Sequence, residues 1–275
     1  MKKSVKISII VILLLLVAIG LFIWNALHGN PVSEAKAEKA AEIYLTEQYA
    51  DTDYVIDELL YDFKLGQYFA NVSSPTSIDT HFDNAITSSG KVIHDSFDDV
   101  TSGWNTHQRI NEAYGELVDK VFTSKDFPLH GHIDFGIIEA FDPDIEPSFD
   151  EADYGVILSD LILDHAYDVR ELGKTTGHII YYEEDEDVSF EHAKESLIII
   201  KQKLAEADIP FYAIDYTLEK PREEGKAFDE DSPIIHVANF LSDDIEENMS
   251  IKEIEEAHEA LKAHYQAADA AMEEE

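Results

Sequence analysis

"HIIYYEE" (His178 to Glu184), "SFEHAKESLIIIKQKLAEADIP" (Ser189 to Pro210) and "FYAIDYTL" (Phe211 to Leu218) follow one another with little loop between them. The outer two segments are short and rich in β-branched and aromatic residues, and they read as strands. In the middle one Phe190, Ala193, Leu197, Ile200 and Leu204 recur every three or four positions, marking one helical face that ends before Pro210. A strand, a helix and a strand in succession make this half of the chain a mixed α+β unit. Working outward, a strand is expected over 132–141. The acidic loop "DPDIEPSFDEAD" (142–153) follows, and then "YGVILSDLILDH", which is too apolar for a loop and undecided between strand and helix. "DVRELG" reads as a short helix closed by Gly173. Downstream, a charged loop over 219–231 leads to the strand "PIIHVANFL". The last segment is a helix with a Ser250/Glu253 capping box and a Met249/Ile254 staple. Its seam of Ile251, Ile254, His258, Leu261, Tyr265, Ala268 and Met272 suits docking on its own unit.

The N-terminal half has a different pattern. After Pro31, the residues Ala37, Ala40, Ala41, Tyr44, Leu45, Gln48 and Tyr49 predict a helix over 33–49. Four strand-like segments follow, near 54–63, 67–74, 80–87 and 91–96, with Tyr68, Ala70 and Val72 alternating. A further helix carries Ile110, Tyr114, Leu117 and Val121, with Ser96 and Asp99 as its capping box. Trp104 lies at helical spacing from His107, Asn111 and Tyr114, which predicts a core anchor. Gly103 marks a start or kink. The expected organisation is residues 1–29 as lysines plus membrane anchor, 30–126 as a first α+β unit and 127–275 as a second α+β unit.

The first thirty residues carry three charges, Lys2, Lys3 and Lys6, and an uncharged run from Ile7 to Leu27. At about 1.5 Å per residue this run spans a hydrocarbon core of roughly 30 Å. Lysines before it and none directly after it place the N-terminus in the cytoplasm and the bulk of the chain outside the cell membrane, with Trp24 at the interface. The alternative is a signal peptide cleaved after "AKA" (35–37), but the run is longer than a typical signal h-region.

With 58 Asp and Glu against 20 Lys and Arg, the net charge is −38. The first thirty residues being positive, the remainder carries −41. Such a surface repels phosphate, which argues against nucleic acid and favours cations or a basic protein as partner. An acidic surface also keeps a protein soluble without any specific partner. Cysteine is absent, which removes disulfides, thiol nucleophiles and thiolate metal sites. No G-x-S-x-G, H-E-x-x-H, phosphate-binding glycine loop or dinucleotide fingerprint occurs. Ser33-x-x-Lys36 and Lys174-Thr-Thr-Gly177 resemble parts of serine-enzyme motifs but lack the linking S-x-N element.

One set of residues suits a divalent cation. If the turn Ser88-Ser89-Gly90 pairs Thr87 with Lys91, Asp83 faces Asp95, and His81, Asp83 and Asp95 share a sheet face. An imidazole and two carboxylates fit Zn²⁺, Mn²⁺ or Ca²⁺, while a shift of one residue scatters them. Loop 142–153 has carboxylates at EF-hand-like spacing but Pro147 where glycine is required. His130 and His132 have H-x-H spacing without a recognisable third ligand, and His258 reads as a packed or rim histidine.

"AEKAAEIYL", "DTHFDNAI", "DSFDDVTSGWNTHQRIN", "ELGKTTGHIIYY" and "IPFYAIDYTLE", in that order behind an anchor, resemble the YfjL-like family of membrane-anchored proteins of Gram-positive bacteria. The resemblance implies a single-pass, surface-facing protein whose first unit has a cystatin-like or PepSY-like helix-plus-antiparallel-sheet fold. It carries over no catalytic residues. The function expected is a membrane-tethered extracytoplasmic binding or regulatory protein without catalysis. The alternative is a divalent-metal-dependent hydrolase, or a metal-binding protein, using His81, Asp83 and Asp95.

Overall fold

The computed structural model describes residues 3–221 and 232–273. Lys2 and most of the charged loop expected over 219–231 lie outside them. The chain divides into two compact units, Met1–Asn105 and Thr106–Glu275.

In the first unit α1 (Lys3–His28) is the apolar helix, and it alone among the described residues is long and apolar enough to cross a membrane. Gly29 (φ +72°) breaks it. Asn30 then caps α2 (Pro31–Gln48), its side chain accepting from the backbone N–H groups of Val32 and Ser33. Pro31 fits the first turn because it needs no donor there. The strands β1 (Val55–Asp62), β2 (Gln67–Ser74), β3 (Ser77–Thr87) and β4 (Val92–Asp95) form an antiparallel meander in sequence order. The alternating Tyr68, Ala70 and Val72 are buried, with Ala37 and Ala41 of α2 in the same unit's core. Alanines on this helix face let its backbone approach the sheet closely. The short α3 (Asp98–Thr101) has no side-chain cap, because its N-cap is Phe97, one residue past the expected Ser96, whose hydroxyl accepts from the Asp83 N–H.

The second unit begins in α4 (Trp104–Phe122). Its buried stripe is Ile110, Tyr114, Val118 and Phe122, with Leu117 and Val121 at the flanks, and all of them join the second unit's core. That packing assigns most of α4 to this unit, although the sequence pattern attached it to the first. Trp104 is half-exposed rather than a core anchor, since Gly103 (φ +85°) starts the helix directly before it. His107 and Tyr114 are the buried members of that spacing, and Asn111 is half-buried. The His107 ring binds the Ile138 carbonyl at 2.7 Å, and the Asn111 side-chain oxygen accepts from the Ile138 N–H at 2.8 Å.

The sheet contains β5 (Gly131–Ile138), β6 (Gly177–Glu184), β7 (Ala213–Glu219) and β8 (Ile234–Leu241), in that order. β5/β6 and β7/β8 are antiparallel, whereas β6 and β7 are parallel, joined by the crossover helix α6 (Phe190–Glu206). Leading into β6, α5 (Val169–Thr176) runs past Gly173 rather than ending there. A Cβ on Gly173 would stand 2.5 Å from the Pro210 carbonyl, so this glycine serves close packing and not a helix stop. The apolar stretch 154–165 is largely irregular, with one 3₁₀ turn, Leu158–Asp160. The last helix α7 (Ile251–Glu273) buries Ile254 and Leu261 and packs on β8 and α6. Met249 is buried, and Glu253 accepts from the Ser250 N–H, giving one half of the expected box.

Candidate functional site

The expected site at β3 and β4 does not assemble. Thr87 does pair with Lys91, its N–H bonding the Lys91 carbonyl at 2.9 Å. Beyond that pair, however, Ile86 faces Val92 while Ala85 faces His94, leaving Ile93 as a bulge. One extra residue reverses the alternation of all that follows. Asp95 therefore lies opposite Asn84, not Asp83, and belongs to the face beneath α2. There it accepts hydrogen bonds from the Tyr44 hydroxyl and, at 2.9 Å, from the Tyr49 hydroxyl. The hydrogen bond to Asp95 pushes the Tyr44 phenol up to about 12, and burial together with the same carboxylate raises Tyr49. His81 and Asp83 remain on the opposite, exposed face of β3.

Chemistry-bearing side chains converge instead on the second sheet. Alternation along β6 sends Ile179, Tyr181 and Glu183 into the core and His178, Ile180, Tyr182 and Glu184 to the other face. On β7 the partners Asp215, Thr217 and Glu219 share that second face, through the pairs Ile180↔Asp215, Tyr182↔Thr217 and Glu184↔Glu219.

At one end of this face His178 is held between two carboxylates. Its Nδ1 is 2.7 Å from Glu139 Oε1 and 3.0 Å from the Tyr154 hydroxyl, and its Nε2 is 3.0 Å from Asp215 Oδ1. The second approach lies off the N–H direction, so it acts as an ion pair rather than as a linear hydrogen bond. Burial opposes the charged ring, but Asp215 and Glu139 outweigh it and push His178 up to about 9. Burial raises the Tyr154 phenol. His178, Glu139 and Asp215 border a cleft of about 380 Å³ under loop 142–153. Its walls carry Glu139, Asp142, Asp150, Glu151 and Asp215 beside the apolar Phe141, Ile145 and Ile180. The loop is fastened over the face: Asn239 donates to the Asp150 carbonyl at 3.2 Å, and His264 lies 3.5 Å from the Asp150 carboxylate. A hydrogen bond from Ser148 holds that carboxyl below the usual range. The EF-hand-like carboxylate spacing thus serves as a cleft wall.

At the other end of β6 two side-chain groups flank the sheet. On the core side, buried Glu183 is knitted by the Tyr216 hydroxyl at 2.8 Å and His192 Nε2 at 3.0 Å, with Asp185 at 3.9 Å from that nitrogen. On the other side, His132 faces Glu184 and Glu219. His130 contributes only its carbonyl, which accepts from the Glu184 N–H, and His258 Nδ1 accepts from the His236 N–H at 3.1 Å.

The sequence reading missed His178, Glu139 and Asp215. The available signal was the polar residues at both ends of one alternating face in "HIIYYEE". The partner of that face on β7 follows only from the parallel register.

No curated protein and no solved structure matches the chain. A model of the YfjL-like, N-terminal domain matches residues 1–96, and a model of the YfjL-like C-terminal domain matches residues 114–255. The second match holds the His178 cleft and the His132 group together, and with both matches the chain belongs to the YfjL-like family.

Proposed function

We propose that this protein is a membrane-tethered, extracytoplasmic binding or regulatory protein that receives a cationic side chain of a basic partner in the His178 cleft. The tether is supported by α1, and the outward orientation by Lys2, Lys3 and Lys6 ahead of the apolar run. The observation that carries the reading is the cleft's composition: five carboxylates surround one imidazolium, so a negative excess remains after His178 is neutralised. Apolar walls beside such a charge suit a lysine or arginine, whose alkyl stem packs while its head meets carboxylates. Binding is favoured over catalysis because His178, charged at neutral pH, is no general base, and the raised Tyr154 phenol keeps its proton.

The test is a titration of the full chain in neutral-lipid nanodiscs with fluorescent lysine- and arginine-containing peptides, against glutamate-containing controls. Saturable binding of the basic peptides is expected, weakening with salt and several-fold weaker after Asp142→Asn with Glu151→Gln. Equal binding of the acidic controls, or affinity unaltered in that variant, rejects the reading.

A further inference from the structure

We propose that His132, Glu184 and Glu219 form a divalent-metal site, taking a first-row ion such as Zn²⁺ or Mn²⁺ with one imidazole nitrogen and two carboxylates. The three residues come from β5, β6 and β7, three adjacent strands of one sheet. One ligand atom from each lies within 4.8 Å of the others. The site is separate from the His178 cleft and does not depend on the function proposed for it.

Three features of the fold point to an ion here. Glu184 and Glu219 are direct register partners on neighbouring parallel strands, and the Glu219 side chain is only 6% exposed. Side-by-side carboxylates, one of them desolvated, make a strongly attractive place for a divalent cation. The second feature is the bulge in β5. Ile133 faces Tyr182 but Gly131 faces Glu183, so His132 is the extra residue. Regular pairing would put His132 opposite Glu183, on the core side. The bulge turns its ring to the face of the two glutamates, the re-aiming for which bulges are used near sites.

Spacing is the third. His132 Nδ1 stands 3.7 Å from Glu184 Oε1, and Nε2 stands 3.6 Å from Glu219 Oε1. Both distances are too long for hydrogen bonds. An imidazole gives only one nitrogen to a given ion, and ligand atoms each about 2.1 Å from it stand about 3.0–3.6 Å apart, so Nε2 and Glu219 Oε1 already sit at that separation. In the Glu183 group behind the sheet, Tyr216 and His192 close on the carboxylate at hydrogen-bond distance. The His132 ring, 28% exposed, has the freedom to turn one nitrogen onto the ion and leaves an entry path from solvent. An imidazole donor favours Zn²⁺ or Mn²⁺ over the oxygen-seeking Ca²⁺.

The test uses the full chain in nanodiscs, stripped with chelator and titrated with Zn²⁺ or Mn²⁺ in millimolar Mg²⁺ and Ca²⁺, which occupy loose acidic sites. One equivalent bound with a rise in the unfolding midpoint is expected. His132→Ala, a change at a partly exposed side chain, should weaken binding at least about tenfold, as should Glu219→Gln. Asp83→Asn and His192→Ala should leave it unchanged, and bound Mn²⁺ should broaden the NMR signals of β5, β6 and β7 ends selectively. Absence of a saturable equivalent, unchanged affinity in His132→Ala, or loss of binding in Asp83→Asn alone would overturn the proposal.

Discussion

Nδ1 of His178 lies 2.7 Å from Oε1 of Glu139, and Nε2 of the same ring lies 3.0 Å from Oδ1 of Asp215. One charged ring therefore ties β6 to its parallel neighbour β7 and to the segment that follows β5. The arrangement keeps two nearby carboxylates tolerable in a largely desolvated place, and it leaves the remaining acids of the cleft unbalanced for a ligand.

Stability should depend on pH through this ring. Its folded pKa of about 9 is above the unfolded value of 6.5, so the contribution is complete below about pH 6.5 and is lost as pH rises through 9. The span corresponds to up to about 3 kcal/mol, an upper bound for a group sharing its charge with two partners. Denaturant unfolding between pH 6 and 9.5 should show the second unit weakening over that window. His178→Gln should be less stable at pH 6 and nearly flat across it. A wild-type slope retained in His178→Gln would place the linkage elsewhere.

In the first unit Asp95 ties β4 to α2 through the Tyr44 and Tyr49 hydroxyls. Asp95→Asn keeps the shape but removes the charge that strengthens both bonds, and a loss of about 1–3 kcal/mol is expected. A titration followed at 295 nm gives a second readout. Tyr44 is pushed up to about 12, so its contribution is complete below about pH 10 and is lost as pH rises towards 12. Asp95→Asn should bring additional tyrosine absorbance below pH 11. An unchanged titration curve would mean that the two phenols do not depend on this carboxylate.

Elements whose signal is local were legible in the sequence. The apolar run, the Tyr68-Ala70-Val72 alternation, the helix from Phe190 to Glu206 and the Met249/Ser250 start of α7 all follow from patterns within a few residues. The features that set the sites were not local. The extra residue at Ile93 moved Asp95 under α2, and the extra residue at His132 aimed its ring at Glu184 and Glu219; no glycine or proline announces the first, and Gly131 beside the second reads equally well as the start of a strand. Gly173 looked like a helix stop because its role depends on the Pro210 carbonyl, distant in sequence. The pairing of His178 with Asp215 likewise requires knowing that β6 and β7 run parallel.

The folded first unit also bears on whether the N-terminal run is retained. Cleavage after "AKA" would remove residues up to Ala37, and those residues are part of the fold. Asn30 caps α2, the Ser33 hydroxyl bonds the buried Tyr68 hydroxyl at 2.7 Å, and Ala37 is fully buried against the sheet. Loss of the cap alone costs about 1 kcal/mol, and the buried Tyr68 hydroxyl would lose this partner. A chain starting at Glu38 would keep only the second part of α2 to cover the meander. The protein extracted from cells should therefore retain residues 1–37 by intact mass. It should stay with membranes through an alkaline carbonate wash, come off with detergent, and be released when residues 7–27 are deleted. External protease acting on intact cells should degrade everything beyond the anchor. A mature protein beginning at Glu38, or complete protection from external protease, would remove the tether or its orientation from the proposed function.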